Sequence, residues 1–503
     1  MSSGTDASAV DRGAHPDRWR ALAVTQLAGF MSLLDVSIVN VALPSIQQGL
    51  SASVAQVQWV VSGYALTFGL VLVAGGRLGD ALGRRRMFLV ALTGFVLTSA
   101  LCGAAPSANL LVAARLLQGL AAGMLTPQNS GLIQVLFRGA ERGRAFGIFG
   151  ATVGLSTAVG PVLGGFILTV AGEQEGWRWI FYVNVPIGLI ALVAAWRLVP
   201  SRPRRGAERG AAATHLDVVG ALLLGGGVLC LLLPLVQVDH GGLRRLWWLF
   251  ALSPVMVALF VRWEQRMVRR ERPPLLDTRL LSTTPGYPAG AALGLVYFVG
   301  FTGIWLVFAL FFQHGLGYTP LQSGLAVTPF ALGSAVSAAV AGRLVTRYGR
   351  RLTVAGLVGV AVGLAATAVV LYTAPAAWAG WMAALPLLVG GIGGGAVISP
   401  NVTLTLESVP PQMGGAAAGA LQTGQRIGSA IGTAMLAAVF YGVLAHRSPN
   451  HYQLAIAAAL LTGTAFVCLA LLIAGVELRV RRRRAALAAP DDASVAQADV
   501  HRT

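Results

Sequence analysis

Polar and apolar positions along this chain come in blocks. Apolar runs of about 20 residues, separated by short polar segments, recur from near the N-terminus to about position 475. A helix of about 20 apolar residues crosses a hydrocarbon core of about 30 Å, so each run predicts one membrane-spanning helix. Fourteen runs are legible, at about 20–43, 58–78, 87–105, 109–133, 144–170, 179–199, 216–237, 246–266, 287–312, 320–345, 352–373, 377–400, 415–441 and 453–475. They are continuous and do not alternate with period two, which excludes a transmembrane β-barrel. The predicted fold class is therefore an all-α polytopic membrane protein with short loops and antiparallel neighbours.

Composition agrees with the blocks. Hydrophobic residues make up 55% and charged residues only 11%, with mean hydropathy +0.70; a soluble domain carries about 25% charged residues. Sixty-three glycines suit helices that pack closely inside a membrane. The net charge of +18 comes from 37 basic residues, all of them arginine. These do not form one face with interleaved aromatics, so nucleic acid is not a predicted partner.

The arginines set the topology. They gather in alternate loops: Arg84–Arg86; Arg138, Arg142 and Arg144; Arg202–Arg209; Arg266–Arg279; Arg347–Arg351; and the tail Arg479–Arg484. The opposite loops hold little beyond Arg178, Arg447 and the pair Arg244–Arg245. Positive loops stay inside, which predicts a plasma-membrane protein with both termini cytoplasmic. Arg244–Arg245 run against this rule and leave the seventh and eighth runs the weakest pair. The polar segment ahead of the first run leads into an uncleaved insertion signal. Cys102, Cys230 and Cys468 are isolated, without metal-ligand or disulfide spacing.

The chain also repeats itself. Gly76-Arg77-Leu78-Gly79-Asp80-Ala81-Leu82-Gly83-Arg84-Arg85-Arg86 returns in the second part of the chain as Gly342-Arg343-Leu344-Val345-Thr346-Arg347-Tyr348-Gly349-Arg350-Arg351. Pro127-Gln128-Asn129 aligns with Pro400-Asn401-Val402, and Ala158-Val159-Gly160 with Ala430-Ile431-Gly432, at nearly the same offset. A shift of eight runs means two six-helix halves separated by two inserted helices. The predicted organisation is an N-terminal tail (1–19), a first half (20–199), linkers with the two inserted helices (200–283), a second half (284–475) and a basic tail (476–503).

Charges inside the runs carry the chemistry. Asp35 lies well inside the first run, in Leu34-Asp35-Val36-Ser37-Ile38-Val39-Asn40-Val41-Ala42-Leu43-Pro44. A carboxylate there costs about 2–3 kcal/mol on insertion, so it must be protonated, paired or wet. Arg115, in Ala114-Arg115-Leu116-Leu117-Gln118-Gly119, cannot be neutralised and needs a partner. Its counterpart in the second half is Leu388, so the fold does not demand the charge. Gly160-Pro161 in the fifth run should bend that helix. Arg426 is a second intramembrane cation, read as a structural or gating residue.

These strings resemble those of one family. The Gly76–Arg86 loop resembles the signature between helices two and three of the major facilitator superfamily. The Asp35–Pro44 string is similar to the first-helix signature of its fourteen-helix drug:proton antiporters, the EmrB/QacA type, with Ser37 where Thr is commoner. Arg115 sits in a string similar to the fourth-helix motif, whose arginine is implicated in proton transfer. Gly154–Gly165 resembles the fifth-helix antiporter motif of exporters, and Trp177–Gly188 a stretch typical of the fourteen-helix subgroup.

The resemblance implies the major facilitator fold and a transporter, not an enzyme. It would export lipophilic or cationic drugs or antibiotics in exchange for protons by alternating access. Its partners would be a small-molecule substrate, protons and the bilayer, with a monomer sufficing. No cofactor is implied, since no Walker loop is present and proton-motive force would drive transport. Asp35 and Arg115 would couple protons. Gly76, Gly79, Asp80, Gly83, Arg84, Gly160, Pro161 and Arg426 would serve conformational change. Asn40, Tyr64, Gln118 and Trp305 are candidate substrate contacts. Alternatives are a proton-coupled transporter of another metabolite, or a membrane receptor or enzyme. The seven histidines fall in tails, loops or at run ends, which argues against the enzyme.

Overall fold

Long apolar runs with few interior breakers fold as long helices. The computed structural model describes residues 16–488 apart from 173, 201–216, 238–241, 271, 273, 278, 411–412 and 446–450. The first half contains α1 (Arg18–Gly49), α2 (Val54–Leu82), α3 (Arg84–Gly103), α4 (Ala108–Leu136) and α5 (Gly139–Ala171). Its last span, α6, consists of two pieces, Gly176–Tyr182 and Asn184–Leu198. Then come α7 (Val218–Val236) and α8 (Trp248–Arg269). The second half opens with α9, in pieces Tyr287–Phe301 and Ile304–Ala309 that run into a π-helical turn, Leu310–Gly315. It continues with α10 (Pro320–Tyr348), α11 (Arg350–Thr373), α12 (Ala379–Thr405), α13 (Gly414–Leu444) and α14 (His451–Ala488).

Each half has its own core. Phe88, Phe95, Tyr64 and Phe68 centre the first; Phe308, Phe312, Phe330 and Leu364 centre the second. Two seams join them, α5 against α10 and α2 against α13. A third cluster, with Ile133 and Phe146 from one half and Tyr287, Val402 and Leu421 from the other, closes the end of the bundle that carries the Gly83 and Gly349 turns. The outer surface is apolar, with Leu222, Val170, Trp381 and Leu385 all largely exposed. A surface of that kind belongs in lipid.

Twelve described helices are long and apolar enough to cross a bilayer, and thirteen if α5 counts as one bent span. The expected fourteen spans are not reached, and the shortfall lies at 246–266. The uncharged part of α8, Trp248–Val261, ends at Arg262 and is followed by Glu264, Arg266 and Arg269. At about 1.5 Å per residue that stretch reaches only about 21 Å. α8 packs on α7, and α7 lies against α2 and α13, covering one seam through Leu66, Val228, Leu232 and Ile427. The pieces of α5 on either side of 158–161, Gly139–Thr157 and Val162–Ala171, meet at 42°. The side chains of Ala158 and Pro161 lie outside the described residues, as do Arg202–Arg209 and Arg447.

The tight turns owe less to their glycines than the spacing suggests. Only Gly83 in the first loop and Gly349 in its repeat adopt positive φ, +101° and +51°. That conformation carries little strain in glycine and is costly for other residues. Gly76 and Gly79 are helical and serve close approach instead. A methyl on Gly76 would collide with the Gly415 carbonyl of α13, and one on Gly79 with the Gln128 side chain of α4.

Candidate functional site: a buried ion pair and an inter-half lock

Asp35 and Arg115 meet. α1 and α4 bring them together in the first half, where Arg115 Nη1 lies 2.5 Å from Asp35 Oδ2 with 1% and 0% of the two side chains exposed. The same Nη1 donates to Gln118 Oε1 at 2.7 Å, and Nε donates to the Val60 carbonyl of α2 at 2.9 Å. The other carboxylate oxygen, Asp35 Oδ1, accepts from Gln118 Nε2 at 3.2 Å and from Asn184 Nδ2 at 3.1 Å. Gln118 Nε2 also donates to Ser99 Oγ at 2.6 Å. The guanidinium lies 4.2 Å over the Tyr64 ring and 5.6 Å from that of Phe181.

A buried ion pair needs such a shell. Desolvating two charges costs several kcal/mol per ion, repaid only when geometry and additional hydrogen bonds are good. Five helices contribute here: α1, α2, α3, α4 and α6. The remaining helix of the half, α5, meets α1 close by, where Ser37 Oγ donates to the Ser156 carbonyl at 3.0 Å. A methyl on Gly160 would collide with Ser37, so glycine there allows α5 to close on α1 beside the charge pair.

Asp80 builds a second cluster at the end of α2. It accepts from Arg84 Nη2 at 2.7 Å, and both its oxygens accept backbone N–H groups at the start of α13, from Gly415 at 3.2 Å and Ala416 at 3.0 Å. Arg84 also donates to the Gly131 carbonyl of α4. A helix N-terminus exposes unpaired N–H groups and partial positive charge, so a carboxylate placed there is held by both. Asp80 therefore bridges the halves, where an ordinary surface turn would hold only itself.

The remaining candidates are distributed differently. Gln118 and Tyr64 do not face open space: Gln118 is fully buried in the Asp35 network, and the Tyr64 hydroxyl donates to the Ser32 carbonyl at 3.2 Å. In this conformation the ion pair and the α1 backbone engage their polar groups. Asn40 is exposed, its amide donating to the Val36 carbonyl at 3.2 Å. Trp305 is half-buried beside Phe301 and Phe330. Arg426 is half-buried at the α2–α13 seam, 4.3 Å over the Phe68 ring.

Two members of the Asp35 network, Asn184 and Ser99, escape the sequence reading. Asn184 lies in the Trp177–Gly188 string, whose aromatics suggest an interfacial belt. The available signal is an amide just before Pro186 in an otherwise apolar stretch, at the point where α6 breaks. Among the described residues no cluster of three or more His, Cys, Asp or Glu is arranged to hold a metal.

Comparisons with known proteins identify the family. The family profile described as Major Facilitator Superfamily matches residues 26–433. The chain is 36% identical over 451 residues to the probable actinorhodin transporter of Streptomyces coelicolor, covering 88% of this chain and 76% of that protein. It is 36% identical to the puromycin resistance protein pur8 of Streptomyces alboniger, covering 88% and 86%. It is 33% identical to the tetracenomycin C resistance and export protein of Streptomyces glaucescens, covering 83% and 75%. Among solved structures, the human organic anion transporter MFSD10 superposes with TM-score 0.64 at 15% identity, over 92% of this chain and 100% of that one. The proton:xylose symporter XylE superposes with TM-score 0.62 at 14% identity, over 89% and 94%. At those identities the likeness speaks for the fold alone.

Proposed function

The chain belongs to the major facilitator superfamily and is a membrane transporter and not an enzyme; on that premise we propose that it exports drug-like or antibiotic small molecules in exchange for protons. The names of its relatives, antibiotic resistance and export proteins, support the direction and substrate class. The observation that carries proton coupling is the Asp35–Arg115 pair. It is the one buried ion pair of the first half that the described residues place at mid-helix, and the second half has Leu388 where Arg115 stands.

The pair works as a switch because only one partner can change charge. Arg115 keeps its proton at any physiological pH. A proton arriving on Asp35 removes the charge that holds the guanidinium, while the Val60 carbonyl, Gln118 and the Tyr64 ring continue to hold it. α1 and α4 are then free to shift relative to each other. Deprotonation on the other side restores the pair. Each proton moving down about 100 mV supplies about 2.3 kcal/mol, before any pH gradient is added.

The Asp80 cluster is the gate of the same cycle. With the arginine-rich end facing the cytoplasm, the bonds from Gly415 and Ala416 to Asp80 hold the cytoplasmic ends of the halves closed, and opening inward breaks them. Both termini then lie inside the cell, in the plasma membrane. The pairing of α7 with α8 supports an inserted helical hairpin of the fourteen-helix drug:proton antiporters, with α8 crossing only through a thinned or water-lined path at its charged end. One chain contains both halves, and a monomer suffices.

Proteoliposomes test this reading. Adding a hydrophobic drug to vesicles with the purified protein should release protons from the lumen in step with drug accumulation, recorded with a pH-sensitive dye. Drug movement that leaves lumenal pH unchanged would exclude proton exchange.

A further inference from the structure

Two acids are buried together at the base of the inserted hairpin. Asp217, immediately before α7, is 7% exposed, and Glu264, near the end of α8, is 0% exposed. Glu264 lies past the apolar stretch of α8 that ends at Val261, between Arg262 and Arg266. Those two arginines are exposed, so the carboxyl is turned inward, away from the charges beside it in the chain.

The two carboxyls are unequally served. Asp217 caps α7: its Oδ1 accepts the Gly220 N–H at 2.8 Å and Trp263 Nε1–H at 2.8 Å, and its Oδ2 accepts the same indole N–H at 3.0 Å. Glu264 Oε2 accepts the Leu276 N–H of the linker to α9 at 3.4 Å. Glu264 Oε1 is buried and has no donor among the described residues. It faces Asp217. A methyl on Gly220 would lie 2.4 Å from Asp217 Oδ2 and 2.7 Å from Glu264 Oε1, and the two side chains are within hydrogen-bonding reach.

Two bare carboxylates repel each other in so dry a site, and one proton between them turns the repulsion into a hydrogen bond. The N–H donors at Asp217 favour its charged form, so the proton belongs on Glu264 Oε1, the oxygen without a donor, and its O–H donates to Asp217 Oδ2. No arginine takes the proton's place. The surrounding charges are Arg262 and Arg266 on α8, Asp277 paired with Arg279 in the linker, Arg77 and the Arg84-bound Asp80 on α2, and Arg426 of α13 over Phe68. Among the described residues none of these arginines pairs with Asp217 or Glu264. The shared proton thus ties together the start of α7, the end of α8 and the linker. Beside it Phe260 of α8 and Leu275 of the linker pack on Val73 of α2, with Ala420 of α13 against them. That is the seam that Asp80 closes.

We propose that Asp217 and Glu264 form a proton-binding site, separate from Asp35, that latches the inserted hairpin and the linker over the cytoplasmic end of the α2–α13 seam. The latch holds while the shared proton is present. As the pH on that side rises the proton leaves, two carboxylates face each other, and the hairpin base and linker loosen. This rests on the cytoplasmic placement of the arginine-rich end and not on proton exchange at Asp35.

The test uses full-length protein in nanodiscs, followed by infrared spectroscopy and by hydrogen exchange at the start of α7 and at Leu275–Leu276. Wild-type protein should show a protonated-carboxyl C=O band that Glu264→Gln removes and that fades between about pH 6 and about pH 9. Over the same range, with the intrinsic exchange rate divided out, protection at Leu276 should fall about tenfold in wild type and less than about twofold in Glu264→Gln, whose amide donates to Asp217 at any pH. Asp217→Asn should flatten the response as well, because a single acid has no like charge opposing it; it carries the test if Glu264→Gln does not fold. Absence of a Glu264-dependent carboxyl band overturns the proposal, as does a loss of protection with pH that is the same in wild type and in both amide variants. A response abolished by His215→Gln and kept by the two amide variants would assign the titration to that histidine and overturn the latch.

Discussion

The two halves answer the same repeat with different chemistry. Arg84 and Arg350 occupy equivalent positions of the repeat, each just after a positive-φ glycine. In the first half the carboxylate is Asp80, one turn before Arg84, and it reaches across to α13 of the other half. In the second half that position is Thr346, which is exposed. The acid comes instead from Glu477 on α14, 2.8 Å from Arg350 Nε, while Arg350 Nη1 donates to Asn401 at 2.6 Å. Asn401 in turn donates to the Gly290 carbonyl of α9 at 3.0 Å. The second cluster thus ties α11, α12, α14 and α9 together inside one half. In the proposed cycle a clamp within a half would move as a rigid part, and a clamp between halves would have to break. The repeat has kept the arginine and divided the labour.

The largest expected effect comes from breaking the internal clamp. Arg350→Met leaves Glu477 buried without its cation and should lower stability by about 3–5 kcal/mol, visible as loss of monodisperse protein in detergent. Restoring neutrality with Arg350→Met and Glu477→Leu together should recover much of that. If Arg350→Met is as stable as wild type, the cluster is not a clamp.

Asp80→Asn should behave in the opposite way. The protein should fold and insert, because the amide oxygen introduced there still accepts one N–H bond, but transport should slow about tenfold, equivalent to about 1.4 kcal/mol in barrier. Unchanged transport by this variant would reduce the loop to a connector. Thr346→Asp sharpens the contrast, since that position is exposed. It should alter the rate less than about twofold and fail to rescue Asp80→Asn. The smallest effect belongs to Asn184→Ala, which removes one of several bonds to Asp35. A loss of about 1 kcal/mol or less in the transport barrier is expected, measured as initial export rate.

Much of this is open to reading from sequence, and the gaps have physical causes. Apolar runs of bilayer length leave little choice of fold, and the repeat marks the halves. Asp35 and Arg115 each stand out as an intramembrane charge in need of a partner. That they are each other's partner does not follow from spacing, because two whole helices intervene between α1 and α4. Glu477 is hidden for the same reason: its partner lies on α11, and on its own it reads as the polar end of a helix. The run at α8 looks longer than it is, because its apolar stretch merges into the aliphatic stems and indole of Arg262, Trp263 and Arg266. Gly76 and Gly79 look like turn residues, yet the demand on them comes from α13 and α4, which no local pattern displays.

The central claim is that the Asp35–Arg115 pair exchanges the proton that drives export. Asp35→Asn preserves size and hydrogen bonding but cannot take up and release a proton. The decisive measurement compares wild-type and Asp35→Asn proteoliposomes in two modes, substrate counterflow at equal pH and accumulation driven by an imposed pH gradient. Counterflow should survive in the variant while gradient-driven accumulation falls to the level of empty vesicles. Accumulation by Asp35→Asn against a substrate gradient, at anything near the wild-type level, would contradict the claim and leave the pair a packing element.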